Sequence, residues 1–258
     1  MRVKTLGWRE LDSELRIWEQ MGRKAELWLR DDDAVAPTDE LDRLLSLVDA
    51  AQVPLALAVI PATATEDLAR RLASLNAVSV LQHGYAHINH EVLGGKKSEF
   101  PNSRPLHDMM SDLLEGHSAI AGLFGDGALP VLVPPWNRIS PHAINCLFDC
   151  GISGLSRFKS RSSRFAITGV LEINTHVDLV SWHDLKAGKP ADLIAVEVAS
   201  QLAARRTGDA DDAEAIGILS HHLVMDEVAW DALTQLIKTL SADSRVRWRS
   251  PKSLFGGT

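Results

Sequence analysis

Two histidines in the segment 81–90 have the spacing of a metal-binding pair. His83 and His87 are four residues apart, so a helical turn after the apolar run 77–81 would place both imidazoles on one face. That separation lets both rings reach one ion at about 2.0–2.1 Å. A polar loop at a strand end would fit a histidine pair equally well, so the metal interpretation depends on a third ligand.

A block of carboxylates at the end of an earlier apolar segment offers that ligand. Residues 27–33 read Leu-Trp-Leu-Arg-Asp-Asp-Asp, and the three aspartates are Asp31, Asp32 and Asp33. In an α/β barrel the carboxyl ends of the strands meet at one rim, where such enzymes carry their chemistry. One Asp and two His converging there would form a metal site with positions left for water.

Apolar runs separated by amphipathic segments predict the elements that position these residues. Continuous apolar runs are typical of parallel strands that are buried on both faces. We expect strands near residues 26–31, 53–60, 77–83, 129–133, 152–156, 171–178 and 215–222, and helices near 7–24, 38–51, 65–74, 106–124, 141–150, 191–206 and 227–240. This alternation predicts an α/β fold, an irregular barrel of about seven parallel strands.

One stretch interrupts the alternation. Residues 91–105 contain two glycines, two prolines and no clear period, which predicts a long surface loop. Because this loop follows the histidine pair, we expect it to be a mobile flap over the site. No internal repeat or domain boundary is visible, so we expect a single domain over residues 1–258, with a core of about 26–222 and terminal helices packed on it.

Composition narrows the classes of partner. The chain has 258 residues, of which 45% are hydrophobic and 24% charged, as in a typical globular protein. A net charge of −7 argues against nucleic acid and gives no basic patch for anionic membranes. No apolar signal segment or membrane span is visible, and Cys146 and Cys150 fit reduced thiols. We therefore expect a cytoplasmic protein; its oligomeric state stays open.

Polar or rigid groups follow five of the predicted strands. They are Asp31–Asp33, His83 with His87, Pro134–Arg138, His176 with Asp178, and His221 with His222. Randomly placed polar residues would also occur at strand beginnings. The concentration at one end favours a functional site over a set of hydrogen-bonded core histidines.

The order of these motifs resembles the polysaccharide deacetylase family, which is carbohydrate esterase family four. The shared order is Asp-Asp, His-x-x-x-His, a Pro-Pro-aromatic corner, a Trp and Leu-x-His, over residues 27–222. The resemblance implies a distorted (β/α) barrel. It also implies metal-dependent removal of N- or O-acetyl groups from sugars, with zinc as the expected metal.

The resemblance implies a role for each matching residue. Asp32 matches the general base and His221 the general acid that protonates the leaving amine, whereas Asp33, His83 and His87 match the metal ligands. Asp31 leaves a one-residue ambiguity in this register. Around them we expect substrate-facing or supporting residues, namely Asp31, Trp136, Arg138, His176, Asp178 and Trp182. A backbone N–H near Trp136 is placed to help hold the oxyanion.

Two positions depart from the family pattern. Val133 stands where the family has an arginine before Pro-Pro, so we expect Arg138 to orient the base instead. Ser181 precedes Trp182 where the family commonly has an aspartate. We therefore expect Asp178 or Asp184 to lie beside His221 and to favour its cationic form.

The leading hypothesis is a cytoplasmic metal-dependent deacetylase or amide hydrolase. Without a visible export signal, a small N-acylated sugar, nucleotide sugar or lipid-linked precursor is a more accessible substrate than a cell-wall polymer. Two alternatives stay open at this point. One is a hydrolase of a non-sugar C–N bond, and the other is an inactive barrel that only binds carbohydrate.

Overall fold

Strands and helices alternate along most of the chain, and the computed structural model describes residues 6–182 and 186–256. The strands are β1 (Ala25–Ala34), β2 (Leu55–Val59), β3 (Val78–His83), β4 (Ala128–Val133), β5 (Gly154–Leu155), β6 (Phe165–Ile167), β7 (Val170–Glu172), β8 (Val177–Asp178), β9 (Val180–Ser181), β10 (Ala187–Gly188), β11 (Ile216–Ser220) and β12 (Val246–Trp248). The helices are α1 (Leu6–Gln20), α2 (Asp39–Ala50), α3 (Glu66–Leu72), α4 (Leu106–Phe124), α5 (Pro141–Ile144), α6 (Ala191–Thr207), α7 (Glu227–Ser241) and α8 (Pro251–Phe255).

The main sheet is parallel over most of its width. Its strands lie in the order β7-β5-β4-β3-β2-β1-β11-β8, with β6 antiparallel to β7 and with β12 pairing to β1. Strands β9 and β10 form a separate antiparallel pair. The order β1 to β5 follows the chain, as expected when each strand is connected to the next by a helix.

One bent segment closes this sheet into a barrel. Strands β7 and β8 lie at opposite ends of the order, yet only residues 173–176 separate them. Ile173 N–H donates to the Leu155 carbonyl on one side, and His176 N–H donates to the Gly217 carbonyl on the other. The single strand predicted over 171–178 is therefore divided between two neighbours. The expected distorted α/β barrel is confirmed.

Burial on both faces explains the apolar runs. Every residue of β2 and β3 is buried. Alternate apolar residues of β1 and β2 form one cluster with the buried faces of α1, α6 and α7, whereas Trp28, Ala56 and Ala58 belong to a second cluster on the other face. Helix starts have side-chain caps: Thr38 accepts from Leu41 N–H, and Asp226 accepts from Ala229 N–H. The predicted helix 141–150 is α-helical only over Pro141–Ile144. No helix in residues 6–182 or 186–256 combines the length and apolarity needed to cross a bilayer.

The loop 91–105 is anchored in its middle. Ser98, Glu99 and Phe100 are buried, whereas Leu93 is fully exposed. Phe100 belongs to an apolar cluster between α4 and β4, and its carbonyl accepts from Ser140 N–H at 2.8 Å. The prediction of a flap is therefore wrong for residues 98–100, because they are part of the core.

This anchoring gives a testable contrast within one loop. Phe100→Ala should lower the free energy of unfolding by about 3–5 kcal/mol, because a large buried ring is replaced by a cavity. Leu93→Ala, in the same loop, should change it by less than about 0.5 kcal/mol, because that side chain is already in water. Urea unfolding of both variants measures the difference, and equal effects would contradict the anchored loop.

Candidate metal centre and catalytic cleft

Three consecutive aspartates at the end of β1 have three separate sets of partners. Asp31 accepts from Ser220 Oγ at 2.7 Å and lies against the His222 ring, whereas Asp32 pairs with Arg30. Side chains along a regular strand alternate between two faces. Here the pairing of β1 with β2 shifts between residues 31 and 34, and Asp33 has a φ of 76°. This irregularity brings Asp33 into the cleft.

Asp33, His83 and His87 form a compact cluster of metal-ligand types. The Asp33 Oδ1 atom lies 3.0 Å from His83 Nε2 and 3.3 Å from His87 Nε2. The three ligand atoms all lie within 4.8 Å of one another. Bonds of about 2.0–2.1 Å in a tetrahedral arrangement separate ligand atoms by about 3.3 Å, so this spacing fits a divalent metal ion.

The tautomer of His83 also suits a metal ligand. Its Nδ1–H donates to the Val133 carbonyl at 3.0 Å, and this leaves Nε2 directed at the cluster. Histidine ligands are commonly oriented in this way through the ring nitrogen that does not bind the metal. The hydrogen bond connects the ligand on β3 to the end of the neighbouring strand β4.

Charge within the cluster sets the protonation states. Burial opposes the charged forms of Asp33 and His83, but their hydrogen bond and the nearby opposite charges together outweigh it, so the pKa of Asp33 is held below its ordinary value and the pKa of His83 is raised. Burial and the neighbouring His83 charge lower the pKa of His87. A metal that binds here would compete with protons for the His83 ring.

The turn that carries His87 is not the expected helix. Gly84 and His87 have φ values of 56° and 58°, and Tyr85 and Ala86 donate their N–H groups to the buried Glu99 carboxylate at 3.0 and 2.8 Å. A Cβ at Gly84 would collide with that carboxylate. The helical turn that would place both imidazoles on one face does not form, because Glu99, a residue that sequence reasoning missed, holds these N–H groups in a different turn.

The partner of Asp32 is a second residue that was missed. Arg30 donates Nε to Asp32 Oδ1 at 2.8 Å and Nη2 to Oδ2 at 2.9 Å, with both side chains buried. It also donates to Ser156 Oγ at 2.7 Å and to Asn137 Oδ1 at 3.0 Å. The expectation for Arg138 is wrong, because its guanidinium donates to the Lys97 carbonyl instead.

His221 lies beside the aspartate that replaces the expected one. Asp178 Oδ1 is 3.9 Å from His221 Nδ1, and Asp178 Oδ2 accepts from Trp182 Nε1 at 2.8 Å. The Trp182 ring contacts the His221 ring edge-on at 4.9 Å. Burial raises the pKa of Asp178. The prediction that Asp178 lies close to His221 is confirmed, and Asp184 lies outside the described residues.

His176 belongs to a different part of the barrel. Its Nδ1 accepts from Gly217 N–H at 3.0 Å, and its Nε2 faces Glu214 Oε2 at 3.2 Å and Arg205 at 3.0 Å. Glu214 and Gly217 lie at the amino end of β11, whereas His221 follows its carboxyl end. The prediction that His176 reaches the site is therefore wrong. His176 lies between β7 and β8, against the amino end of β11, rather than at the end of a strand.

A cleft of about 400 Å³ brings the remaining candidates together. Its lining includes Asp32, Asp33, His83, His87, Asp178 and His221, together with Trp136, Arg138 and Trp182. Trp136, with a φ of 55°, packs its ring 4.5 Å from the ring of His87. Asp31 does not line the cleft; it is buried against the His222 ring. The cleft thus combines a candidate metal centre, two carboxylates outside that centre, a histidine and two tryptophans.

The buried ion pair predicts a contrast between two arginines. Arg30→Gln should lower the free energy of unfolding by about 3–5 kcal/mol, because Asp32 is left buried without its cationic partner. Arg138→Gln, which removes the exposed arginine, should change it by less than about 0.5 kcal/mol. Urea unfolding at pH 7 tests both variants; similar small losses would show that Arg30 does not neutralise Asp32.

The buried His176 predicts a pH-dependent loss of stability. Burial and the positive charges of Arg205 and Arg161 lower its pKa, and they outweigh the opposite effect of Glu214. At about pH 6.5 and below, His176 therefore binds a proton in the unfolded chain but not in the folded chain. Because the unfolded chain binds more protons, acid favours unfolding. His176→Gln should show a smaller fall in the free energy of unfolding between pH 7.5 and 5. The exposed His142→Gln is the control, and a fall of the same size in all three proteins would contradict the assignment.

Comparison with known proteins identifies the fold. No family model and no curated protein matches the sequence. A Mycobacterium smegmatis protein described as a polysaccharide deacetylase aligns with a TM-score of 0.61 and 17% identity, over 89% of this chain and 88% of that chain. The Bc1960 peptidoglycan N-acetylglucosamine deacetylase gives 0.60 and 16%, over 91% and 90%.

A third structure extends the match to esterases. A family 4 acetyl xylan esterase from Clostridium thermocellum, in complex with a cobalt ion, aligns with a TM-score of 0.56 and 15% identity, over 90% of each chain. All three alignments include most of both chains, so the likeness is that of a whole barrel. The chain has the polysaccharide deacetylase fold of the family 4 carbohydrate esterases, as its motif order predicts.

Proposed function

We propose that this protein is a metal-dependent hydrolase that removes an acetyl or other acyl group from an N-acylated sugar or sugar-containing metabolite. One observation carries the proposal. A single cleft contains the Asp33–His83–His87 cluster, the carboxylate of Asp32, which is not part of that cluster, and the imidazole of His221. Activated water, carbonyl polarisation and proton donation each have a candidate group there.

Zinc is the proposed metal, held by Asp33, His83 and His87. One carboxylate and two imidazoles are donors that suit zinc and related divalent metals, and three protein ligands leave positions open. When bound, the metal would lower the pKa of water and polarise the acyl carbonyl. The chain's own contribution is the orientation of His83 by the Val133 carbonyl and of His87 by the turn around Glu99.

Asp32 is the proposed general base. It lies beside the cluster, and the two hydrogen bonds from Arg30 fix the plane of its carboxylate. A water proton passes to Asp32, and the water oxygen adds to the acyl carbon. Positioned general bases contribute about 10²–10⁴-fold to such reactions. We assign the backbone N–H of Trp136 to the oxyanion that forms.

His221 is the proposed general acid. Its Nδ1 is buried on the side of Asp178, so Nε2 is the nitrogen that can reach a substrate in the cleft. The C–N bond breaks as His221 donates a proton to the departing nitrogen, and the products are a carboxylic acid and a free amine. Trp136 and Trp182 supply aromatic faces of the kind that binding sites use to orient ligands.

The structure weakens the main reason for an inactive barrel. That hypothesis depends on Val133 and Ser181, which lack the charged groups of the family pattern. Arg30 now pairs with Asp32, and Asp178 lies beside His221. Both missing functions therefore have a candidate residue at another position. A cytoplasmic location stays a prediction of the sequence.

Acetate release tests this proposal directly. The zinc-loaded protein should release acetate from N-acetylglucosamine or its dimer, a chelator should abolish the release, and added zinc should restore it. Elemental analysis should find one metal per chain in the wild type and in His142→Ala, and almost none in the double variant Asp33→Ala/His83→Ala. Full metal content in that double variant would overturn the ligand assignment, and chelator-resistant turnover would overturn the metal dependence.

A further inference from the structure

Three cations surround the mouth of the cleft without an ionic partner. Arg138 and Lys186 line the cleft, and Lys97 lies over the Trp136 ring at 5.9 Å from its centroid. In the described ranges 6–182 and 186–256, none of the three has a carboxylate oxygen within 4 Å. All three side chains are exposed.

These three cations lie around one cleft on a protein whose net charge is −7. Several other surface arginines lie in ion pairs: Arg43 with Glu227, Arg206 with Glu14, and Arg245 with Asp12 and Asp243. The acidic residues of the cleft have partners of their own, since Asp32 bonds to Arg30 and Asp178 to Trp182. Among the described residues, no carboxylate of the cleft lies at ion-pair distance from these three cations.

The positions of these cations relate them to the proposed reaction centre. Lys97 contacts Trp136, whose ring lies 4.5 Å from the ring of the proposed ligand His87. Lys186 lies 5.2 Å over Trp182, whose ring contacts the proposed acid His221. Each lysine is thus one aromatic ring away from a catalytic group.

Arg138 links one lysine to the wall of the cleft. Its guanidinium donates to the Lys97 carbonyl at 2.9 Å, and its own carbonyl accepts from Ser98 Oγ at 3.3 Å. Ser98 is buried next to Glu99 and Phe100, which belong to the core. The backbone that carries Lys97 is therefore held at the cleft rather than free in solution.

We propose that the substrate carries an anionic group, a phosphate or a carboxylate, that Lys97, Arg138 and Lys186 hold while the acyl group lies at the metal centre. This inference rests on the proposed function and specifies its substrate class as an acidic N-acyl amino sugar. Exposed lysines interact with such anions as mobile point charges. A cleft of about 400 Å³ has the size range of small-molecule sites.

Turnover of three matched substrates tests the proposal. We compare N-acetylglucosamine, its 6-phosphate ester and 2-acetamido-2-deoxyglucuronic acid. The KM of at least one anionic substrate should be lower than that of the neutral sugar. Lys97→Gln and Lys186→Gln should each raise that KM about two- to fivefold with little change in kcat, the range expected of exposed charge pairs. The KM for the neutral sugar should not change, and Lys238→Gln, a surface lysine on α7, should change neither value.

Direct binding separates this inference from the proposed activity. Calorimetry with glucosamine and glucosamine 6-phosphate requires no turnover. The phosphorylated amine should bind more tightly, and the difference should shrink as salt is raised, because salt screens exposed charges. Anion-dependent binding without acetate release would overturn the proposed function but support the anion site. Equal binding of both amines, or lysine variants that affect the neutral and anionic sugars alike, would overturn the anion site.

Discussion

Three adjacent carboxylates at the end of one buried strand are the constraint on which the rest of the site depends. Like charges this close destabilise a fold unless each has a partner of opposite charge or strong hydrogen bonds. Asp31 has His222, Asp32 has Arg30, and Asp33 has His83 and His87. These partners come from different elements, so satisfying the carboxylates also brings β1, β3 and the end of β11 together at one rim of the barrel.

The irregular end of β1 separates the roles of these residues. A regular strand would direct Asp31 and Asp33 to the same face. The register shift and the positive φ of Asp33 instead leave Asp31 behind the cleft wall and Asp33 inside it. A non-glycine residue with this φ costs free energy, and such strain is characteristic of functional sites. The geometry thus favours Asp33 for the metal and Asp32 for the proton.

Much of this arrangement was predictable from local patterns. Apolar runs located the strands, and the polar residues after them located the rim, including Asp33, His83, His87 and His221. Arg30 was missed although Asp32 is only two residues away, a spacing that places both side chains on one face of a strand. Glu99 and the position of His176 were not predictable, because their partners are more distant along the chain: Glu99 bonds to Ala86, and His176 to Glu214. Periodicity shows which face of an element a side chain occupies, but it does not show which distant residue the side chain contacts.

Residues at other positions make contacts of the kind that the two departures from the family pattern remove. Val133 cannot pair with a carboxylate, but Arg30 on the same strand as Asp32 makes the bidentate contact. Ser181 cannot balance a histidine charge, but Asp178 lies 3.9 Å from His221 Nδ1. The role of a residue therefore follows from the chemistry that the site requires, and more than one strand position can supply it.

The most direct test of this account measures metal content and turnover together in Asp31→Asn, Asp32→Asn and Asp33→Asn. Asp33→Asn should lose both metal and turnover. Asp32→Asn should keep one metal per chain and lose turnover by about 10²–10⁴-fold. Asp31→Asn should keep both and lose only stability. Loss of metal in Asp32→Asn, with loss of turnover alone in Asp31→Asn, would move the assignment by one residue and contradict the account.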